Sequence, residues 1–182
     1  MELLIERRPT VHYAGFPTII SALVTHPEFD RYDQSDLRIN HVVGPVDLMR
    51  RYGTLCPGAK YVNSYGLTEG TGVPCYSQID DPDDVLFETS GPICEGMELA
   101  IFGEDGAIVP DGEPGEIRMR GFGVFAGYFD DPEATAAAVD AEGWLHTGDL
   151  GRIGAMGRVV YEGRLKDMLK IGGENVAAVE LE

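Results

Sequence analysis

The fold is decided by the stretch from Lys60 to Gly72, which reads Lys-Tyr-Val-Asn-Ser-Tyr-Gly-Leu-Thr-Glu-Gly-Thr-Gly. Its first half is rich in β-forming residues and predicts a strand that ends in a glycine-rich turn. Open α/β sheets bind ligands at the carboxyl ends of their strands, so the Ser64 and Thr68 hydroxyls and nearby N–H groups could hold a phosphate. Glu69 could ligate a hard cation such as Mg²⁺. The alternative is an ordinary turn in which Gly66 permits an unusual dihedral angle.

The residues before this stretch alternate between strand patterns and helix patterns. Strands that alternate with helices favour a sheet with parallel members, so residues 1–90 are predicted to form an α/β fold. The strand candidates cover residues 10–15, 37–43 and 60–65. One helix candidate begins near Pro17, and a second covers residues 46–52.

The pattern changes after about Gly91 to one that is typical of antiparallel strands. Asp131 and Pro132 open an alanine-rich helix that extends to Val139, with Asp131 as its N-cap. We expect a small antiparallel β-barrel or sheet in this part of the chain. Its strand candidates cover residues 97–102, 107–109, 115–121 and 151–165, with a hairpin turn at 103–106.

The composition restricts the classes of partner. The 182 residues contain 31 acidic and 14 basic side chains, which gives a formal net charge of −17. A general nucleic-acid-binding face is excluded, and an anionic membrane surface would repel the chain. An anionic ligand must therefore be held by a few placed cations, backbone N–H groups or a metal ion.

The three cysteines are widely spaced, which favours a reducing compartment and a cytoplasmic protein. No apolar run is long enough to span a membrane.

A second informative stretch covers residues 143–151 and places Asp149 between two glycines. A carboxylate in this setting can accept hydrogen bonds from both hydroxyls of a ribose. The alternative is a β-turn, in which Gly-Asp occurs for conformational reasons alone. His146 fits a surface or packing residue better than a catalytic base.

A third stretch, residues 161–176, contains the densest basic cluster of the chain, formed by Arg164, Lys166 and Lys170. An anion is expected where basic side chains concentrate in an otherwise acidic chain. Gly172 and Gly173 add backbone without side chains. The alternative is a solvated linker of mixed charge.

Taken together and in this order, the stretches resemble the motifs of the adenylate-forming superfamily, which includes acyl-CoA synthetases, firefly luciferase and the adenylation domains of peptide synthetases. One motif would be weak evidence, but four motifs in order at sensible spacing are strong evidence. The matching segments are YGxTE at 65–69, GEI at 115–117 followed by Gly121, Gly127, Tyr128, Pro132 and Thr135, TGD at 147–149, and residues 161–182, which resemble YxGRxKDxIKxGGENVxPxEIE with Leu169, Ala178 and Leu181 in place of Ile, Pro and Ile.

The resemblance implies ligand roles for particular residues. Thr68 would touch a nucleotide phosphate, and Glu69 would bind Mg²⁺. Asp149 would hold the ribose hydroxyls with help from Arg164. The residues that the resemblance places along the adenylate are Ser64, Tyr65 and Gly66, with the Gly66 backbone near the acyl end.

Two further roles follow from the same resemblance. The adenine-contacting segment of the family has only Gly44 as a possible match here, within residues 42–46. Lys166 falls at the hinge about which the small C-terminal domain of the family rotates between the two half-reactions. The implied domains are the αβ part of a large domain at 1–90, its β-barrel part at 91–163, and the hinge with the beginning of the small domain at 164–182.

The implied reaction is the ATP-dependent activation of a carboxylic acid, in particular a fatty acid, to acyl-AMP, followed by transfer of the acyl group to CoA. ATP or AMP, Mg²⁺ and CoA are the implied cofactors, and no nucleic acid or membrane span is expected. The family's phosphate loop would precede Met1 and its catalytic lysine would follow Glu182, so we expect an internal fragment that is inactive by itself and needs the other parts of its parent chain. Two alternatives remain: an adenylate former that loads a carrier protein, and a non-catalytic adenylate-binding module. The GGENV segment at 172–176 favours CoA ligation.

Overall fold

The computed structural model describes residues 1–43, 46–171 and 174–177. The chain divides into two compact units, which are described separately. The first unit consists of Met1–Ser64 and Tyr76–Gly91, and the second consists of Tyr65–Cys75 and Pro92–Glu182.

The first unit contains a three-stranded parallel sheet in the order β1–β2–β3, which confirms the predicted α/β class. A helix connects each pair of consecutive strands, as parallel pairing requires. The strands are β1 (Val11–Gly15), β2 (Ile39–Val42) and β3 (Lys60–Val62), and the helices are α1 (Glu2–Arg7), α2 (Pro17–Val24), α3 (Val46–Leu55) and α4 (Asp83–Glu88).

Local sequence signals explain most of these elements. Pro17 occupies the first turn of α2, where its missing N–H costs nothing. Helices α2 and α3 cover the sheet with apolar side chains, which form the core of this unit. Helices α1 and α4 were not predicted, although Pro82 precedes α4 and two acidic residues occupy its first turn. The buried core includes Ile20, Val42, Met49, Tyr52 and Tyr61.

The second unit contains a four-stranded antiparallel sheet in the order β6–β7–β8–β9. Helix α5 begins as predicted, because the Asp131 carboxylate accepts a hydrogen bond of 2.9 Å from the Ala134 N–H. The sheet strands are β6 (Met97–Phe102), β7 (Gly115–Gly121), β8 (Leu145–Ile153) and β9 (Val159–Arg164), and α5 covers Pro132–Ala138. The short strands are β4 (Ser64–Tyr65) and β5 (Cys75–Tyr76), each of which has one residue in each unit, and the antiparallel pair β10 (Met168–Ile171) and β11 (Glu174–Ala177) of the second unit.

Three details of the predicted antiparallel part are corrected. In the part of the chain that the structure describes, the sheet is open and not a barrel, since four strands are too few to close around a core. Residues 107–109 form only an isolated bridge from Ile108 to Phe102, next to the hairpin turn that was predicted. Strand β8 begins at Leu145, so Thr147–Asp149 lies inside a strand and not in a β-turn.

Several global properties concern both units. Cys56 and Cys75 are buried, Cys94 is exposed, and all three are free thiols; the cytoplasmic compartment stays a prediction. Among the described residues, no helix combines the length and apolar character needed to cross a bilayer. Over the same residues, no group of three or more His, Cys, Asp or Glu side chains could hold a metal ion.

Candidate functional site

Three of the predicted ligand-binding residues meet in the second unit. The Tyr65 hydroxyl donates a hydrogen bond of 2.7 Å to Oδ2 of Asp149, although the two residues are 84 positions apart. The Arg164 Nε lies 2.9 Å from Oδ1 of the same carboxylate, and Arg164 is the register partner of Asp149 across β8 and β9. Tyr65, Asp149 and Arg164 are called the carboxylate cluster below.

A bulge in β8 fixes the position of Asp149. Residues 147–149 lie opposite the single residue Ile117 of β7, so the register shifts at this point. The Thr147 hydroxyl donates a hydrogen bond of 2.5 Å to the Ile117 carbonyl and accepts one of 3.1 Å from the Asp149 N–H. Gly148 has a φ of 67°, a left-handed conformation that glycine adopts without steric cost. The bulge therefore re-aims the Asp149 side chain.

The Glu116 side chain on β7 stabilises the bulge through a hydrogen bond. Its Oε1 accepts a hydrogen bond of 3.1 Å from the Gly148 N–H, and its Oε2 accepts one of 2.6 Å from Arg118 Nε. His146 Nδ1 lies 3.6 Å from Glu116 Oε2, and its Nε2 lies 3.2 Å from the Asp140 carboxylate. His146 thus bridges two acidic side chains, which agrees with a packing residue and not with a free base.

The electrostatics of Asp149 are those of a buried charge. The residue is 3% exposed, and burial raises the pKa of its carboxyl although the Tyr65 hydrogen bond and Arg164 act in the opposite direction. Burial also raises the pKa of Tyr65, so this phenol stays a proton donor. Among the described residues, Asp149 Oδ1 accepts no hydrogen bond, although Arg164 Nε lies 2.9 Å from it as an ion-pair partner. A buried acceptor of this kind fits a hydroxyl donor from a ligand.

The turn after Tyr65 depends on close contact between two stretches of backbone. A Cβ on Gly66 would lie 1.8 Å from the Gly72 carbonyl oxygen and 2.7 Å from Pro74. Thr71 and Gly72 both have positive φ, and the Gly72 N–H donates a hydrogen bond of 3.0 Å to the Leu67 carbonyl. Glycine is therefore required at position 66 by close approach, whereas the sequence suggested a dihedral reason.

The two polar residues of this turn differ in their surroundings. Thr68 is exposed, and Glu69 is partly exposed. The Tyr128 hydroxyl donates a hydrogen bond of 2.7 Å to Glu69 Oε1, and this bond is the largest cause of the lowered pKa of Glu69; Arg164 contributes less. Among the residues described, Glu69 belongs to no group of three or more His, Cys, Asp or Glu side chains, so a cation held by its carboxylate would need further oxygen ligands such as those of a nucleotide phosphate.

The remaining predicted residues lie elsewhere. Ser64 belongs to the first unit, where its buried hydroxyl makes a hydrogen bond of 2.8 Å with His41 Nε2. Gly44, Gly172 and Gly173 lie outside the described residues. Lys166 is exposed in the short 3-10 turn Leu165–Asp167, and its hinge role stays a prediction.

Two residues of the site had no predicted role. Glu116 and Tyr128 were noted only as members of the segments that match the family motif, and the structure places Glu116 against Gly148, next to Asp149, and Tyr128 against Glu69. Their positions next to Gly115 and Gly127 were the available signal. Their partners depend on the β7–β8 register and on the path of the loop before α5, which the sequence does not specify.

The comparisons with known proteins decide the family. The profile of the family described as "AMP-binding enzyme" matches residues 1–129. The chain belongs to this family. A methyl-dioxo-octahydro-indenyl propanoyl:CoA ligase from Rhodococcus jostii is 40% identical to this AMP-binding chain over 171 residues, which cover 92% of the chain and 31% of the relative. The 4-coumarate–CoA ligase 1 of Solanum tuberosum is 36% identical over 172 residues, which cover 91% of the chain and 32% of that protein.

Solved structures support the same family. The crystal structure of the anthranilate CoA ligase AuaEII in complex with anthranoyl-AMP superimposes with a TM-score of 0.84 and 28% identity, covering 98% of the AMP-binding chain and 34% of the ligase. The resemblance to adenylate-forming enzymes stated from the motifs is therefore confirmed. The chain spans about a third of the length of the curated relatives that it matches.

The close approach at Gly66 predicts that Gly66→Ala destabilises the protein by about 2 kcal/mol or more, because the added methyl group would overlap backbone that cannot move independently. The measurement is urea unfolding followed by circular dichroism. Gly58→Ala is the matched control, since a Cβ at Gly58 meets no described atom within 4 Å. Equal unfolding midpoints for the two variants would contradict the proposed cause.

The buried charge of Asp149 predicts that Asp149→Asn raises the melting temperature near pH 7. A carboxyl whose pKa is higher in the folded than in the unfolded state binds more protons when folded, so its stabilising contribution is lost as pH rises through that range. The advantage of Asp149→Asn should therefore be larger near pH 7 than near pH 4.

Asp111→Asn, at an exposed carboxyl of the same unit, provides the control for the loss of one negative charge. Thermal unfolding of the three proteins across this pH range is the measurement. A lower melting temperature for Asp149→Asn than for the parent near pH 7 would contradict this account of the buried charge.

Proposed function

We propose that this chain binds the AMP portion of an acyl-adenylate through the carboxylate cluster. The supporting observation is the buried Asp149 Oδ1, which accepts no hydrogen bond from any described residue, while Tyr65 occupies Oδ2. A buried carboxylate oxygen that has an ion pair with Arg164 but accepts no hydrogen bond is costly in a folded protein, and ribose hydroxyls are donors of the right kind for it. Relatives in the same family that are named as CoA ligases support the nucleotide as the ligand.

Each member of the cluster has a separate role in this proposal. Asp149 accepts hydrogen bonds from the ribose hydroxyls. Tyr65 fixes the orientation of the carboxylate through its 2.7 Å hydrogen bond to Oδ2, so that Oδ1, the ion-pair partner of Arg164, would accept from the ligand. Arg164 is partly exposed, donates a hydrogen bond of 3.1 Å to the Thr147 carbonyl, and supplies positive charge beside the ribose. The cation must move slightly for a ribose to reach Oδ1, and its exposed side chain permits this.

The turn at residues 66–72 would face the phosphate end of the nucleotide. Thr68 would donate its hydroxyl to a phosphate oxygen, and Glu69 would ligate the Mg²⁺ that accompanies ATP. When bound, the metal ion would neutralise phosphate charge in a chain whose net charge is −17. Gly66 would follow the acyl-phosphate with bare backbone. Ser64 and Gly44 complete the proposal as adenylate-lining and adenine-contacting residues.

For a protein of the relatives' length, we propose the activity of an acid–thiol ligase. A carboxylate oxygen attacks the α-phosphorus of ATP, and the bond to pyrophosphate breaks. The CoA thiol then attacks the acyl carbonyl, and AMP leaves. Lys166 would lie at the hinge about which the small domain rotates between the two steps. Residues 1–90 and 91–163 would belong to the large domain, and residues 164–182 would begin the small domain.

The acid is proposed to carry a large apolar group, with a fatty acid as the first candidate. The named relatives act on a fused-ring propanoyl group and on 4-coumarate, so ring-bearing acids belong in the same test. Measuring ligation of a fatty acid, a cinnamic acid and a fused-ring acid by the longer protein distinguishes these classes. A preference for short, polar acids would contradict the proposal.

Calorimetric titration of the 182-residue chain with a non-hydrolysable acyl-adenylate analogue tests the proposed binding site. We expect saturable binding that Asp149→Asn weakens by about 100-fold, because a site built to accept hydroxyl donors discriminates strongly when its acceptor changes. Asp111→Asn, which removes an exposed carboxylate of the same unit, should leave the affinity unchanged. Equal affinity of the parent and Asp149→Asn would contradict the assignment.

A further inference from the structure

The loop that precedes α5, residues 121–131, forms hydrogen bonds with both the main-chain carbonyl and the side-chain carboxylate of Glu69. The Phe125 N–H donates a hydrogen bond of 2.8 Å to the Glu69 carbonyl, and the Tyr128 hydroxyl donates one of 2.7 Å to Glu69 Oε1. The Thr71 hydroxyl also donates a hydrogen bond to the Gly123 carbonyl. The main chain and the side chain of one acidic residue are therefore held by the same loop.

Tyr128 is exposed and makes two further contacts around this loop. Its N–H donates a hydrogen bond of 2.9 Å to the Thr135 hydroxyl at the start of α5. The Phe125 ring meets its ring edge-on, with ring centroids 4.8 Å apart and an interplanar angle of 75°. Thr135 also packs against Gly127 so closely that a Cβ there would lie 2.8 Å from its methyl carbon. The phenol therefore reaches Glu69 from a fixed backbone and a braced ring.

A lone carboxylate binds a divalent cation poorly when its side chain can rotate freely. Glu69 is partly exposed, belongs to no group of three or more metal-ligating side chains among the residues described, and accepts a side-chain hydrogen bond from Tyr128. A partner that hydrogen-bonds one carboxylate oxygen orients the group and leaves the other oxygen for a metal. The Tyr128 hydroxyl meets this requirement, because it contacts Oε1 alone.

We infer that Tyr128 is the positioning residue for Glu69: its hydroxyl holds Oε1 and thereby presents the carboxylate to the divalent cation of a bound nucleotide. Tyr128 does not touch the nucleotide in this arrangement and acts only through Glu69. The inference rests on the proposed function for its ligand, whereas the contact between the two side chains stands without it.

The first arm of the test uses the chain without nucleotide. Tyr128→Phe deletes the hydroxyl and keeps the ring, and Tyr13→Phe deletes the same atom from an exposed ring of the first unit. We expect the NMR signal of the Glu69 carboxyl carbon to shift in Tyr128→Phe alone. We also expect the order parameter of the Glu69 side chain to fall in this variant and in no other. The Phe125 amide should keep its protection from hydrogen exchange, since the main-chain hydrogen bond remains. A Glu69 signal that is the same in all three proteins would overturn the inference.

The second arm measures the affinity for α,β-methylene-ATP with and without Mg²⁺. In Tyr128→Phe, the gain in affinity that Mg²⁺ provides should fall about tenfold, while the affinity without metal stays that of the parent, as expected for the loss of a partner that orients a metal ligand. An undiminished gain in Tyr128→Phe would overturn the inference. If the parent chain bound no nucleotide, the proposed function would fail for this chain, and the carboxyl-carbon signal would still decide whether Tyr128 positions Glu69.

Discussion

The second unit is organised around one buried negative charge. Asp149 is nearly inaccessible, and burial makes its ionised form unfavourable, yet only one of its carboxylate oxygens is satisfied by a described hydrogen-bond donor. A buried charge of this kind costs stability, which supports the proposal that Asp149 binds a ligand with hydroxyl donors. Tyr65 and Arg164 reduce the cost of the charge from two sides without removing it.

The surrounding sheet explains why the charge can be held there. The bulge of β8 places two extra residues opposite Ile117. Glu116 stabilises this bulge by accepting a hydrogen bond from the Gly148 N–H. Arg164 reaches Asp149 because the two residues are paired across β8 and β9. Antiparallel register therefore converts two motifs that are distant in sequence into one site, and the loop before α5 does the same for Glu69 and Tyr128.

The sequence predicted the local elements well where local chemistry determines them. Pro17 at the start of α2 and the Asp131 cap of α5 are examples, because a proline in a first turn and a capping carboxylate act within a few residues. The parallel order of the first sheet also followed from alternating strands and helices. The motif resemblance correctly identified the family that the profile and the relatives confirm.

Other features depend on contacts between distant residues and could not be predicted in this way. The Tyr65–Asp149 hydrogen bond spans 84 positions, and its existence depends on how the turn at Gly66 meets the sheet. The sequence could not indicate that Thr147–Asp149 would form a bulge inside a strand, since Gly-Asp is common in turns as well. The expected barrel became an open sheet because residues 107–109 contribute only a bridge to the ladder.

The central claim is that Asp149 recognises ribose hydroxyls. A thermodynamic cycle tests it most directly, in which the hydroxyls are removed from the ligand and the carboxylate is removed from the protein, each alone and both together. The measurement is the affinity of the parent chain and of Asp149→Asn for AMP and for 2′,3′-dideoxy-AMP. The account predicts that the parent prefers AMP by about 100-fold and that Asp149→Asn loses most of this preference, because the two groups interact with each other. The same preference for AMP in both proteins would show that the hydroxyls bind elsewhere and would contradict the account.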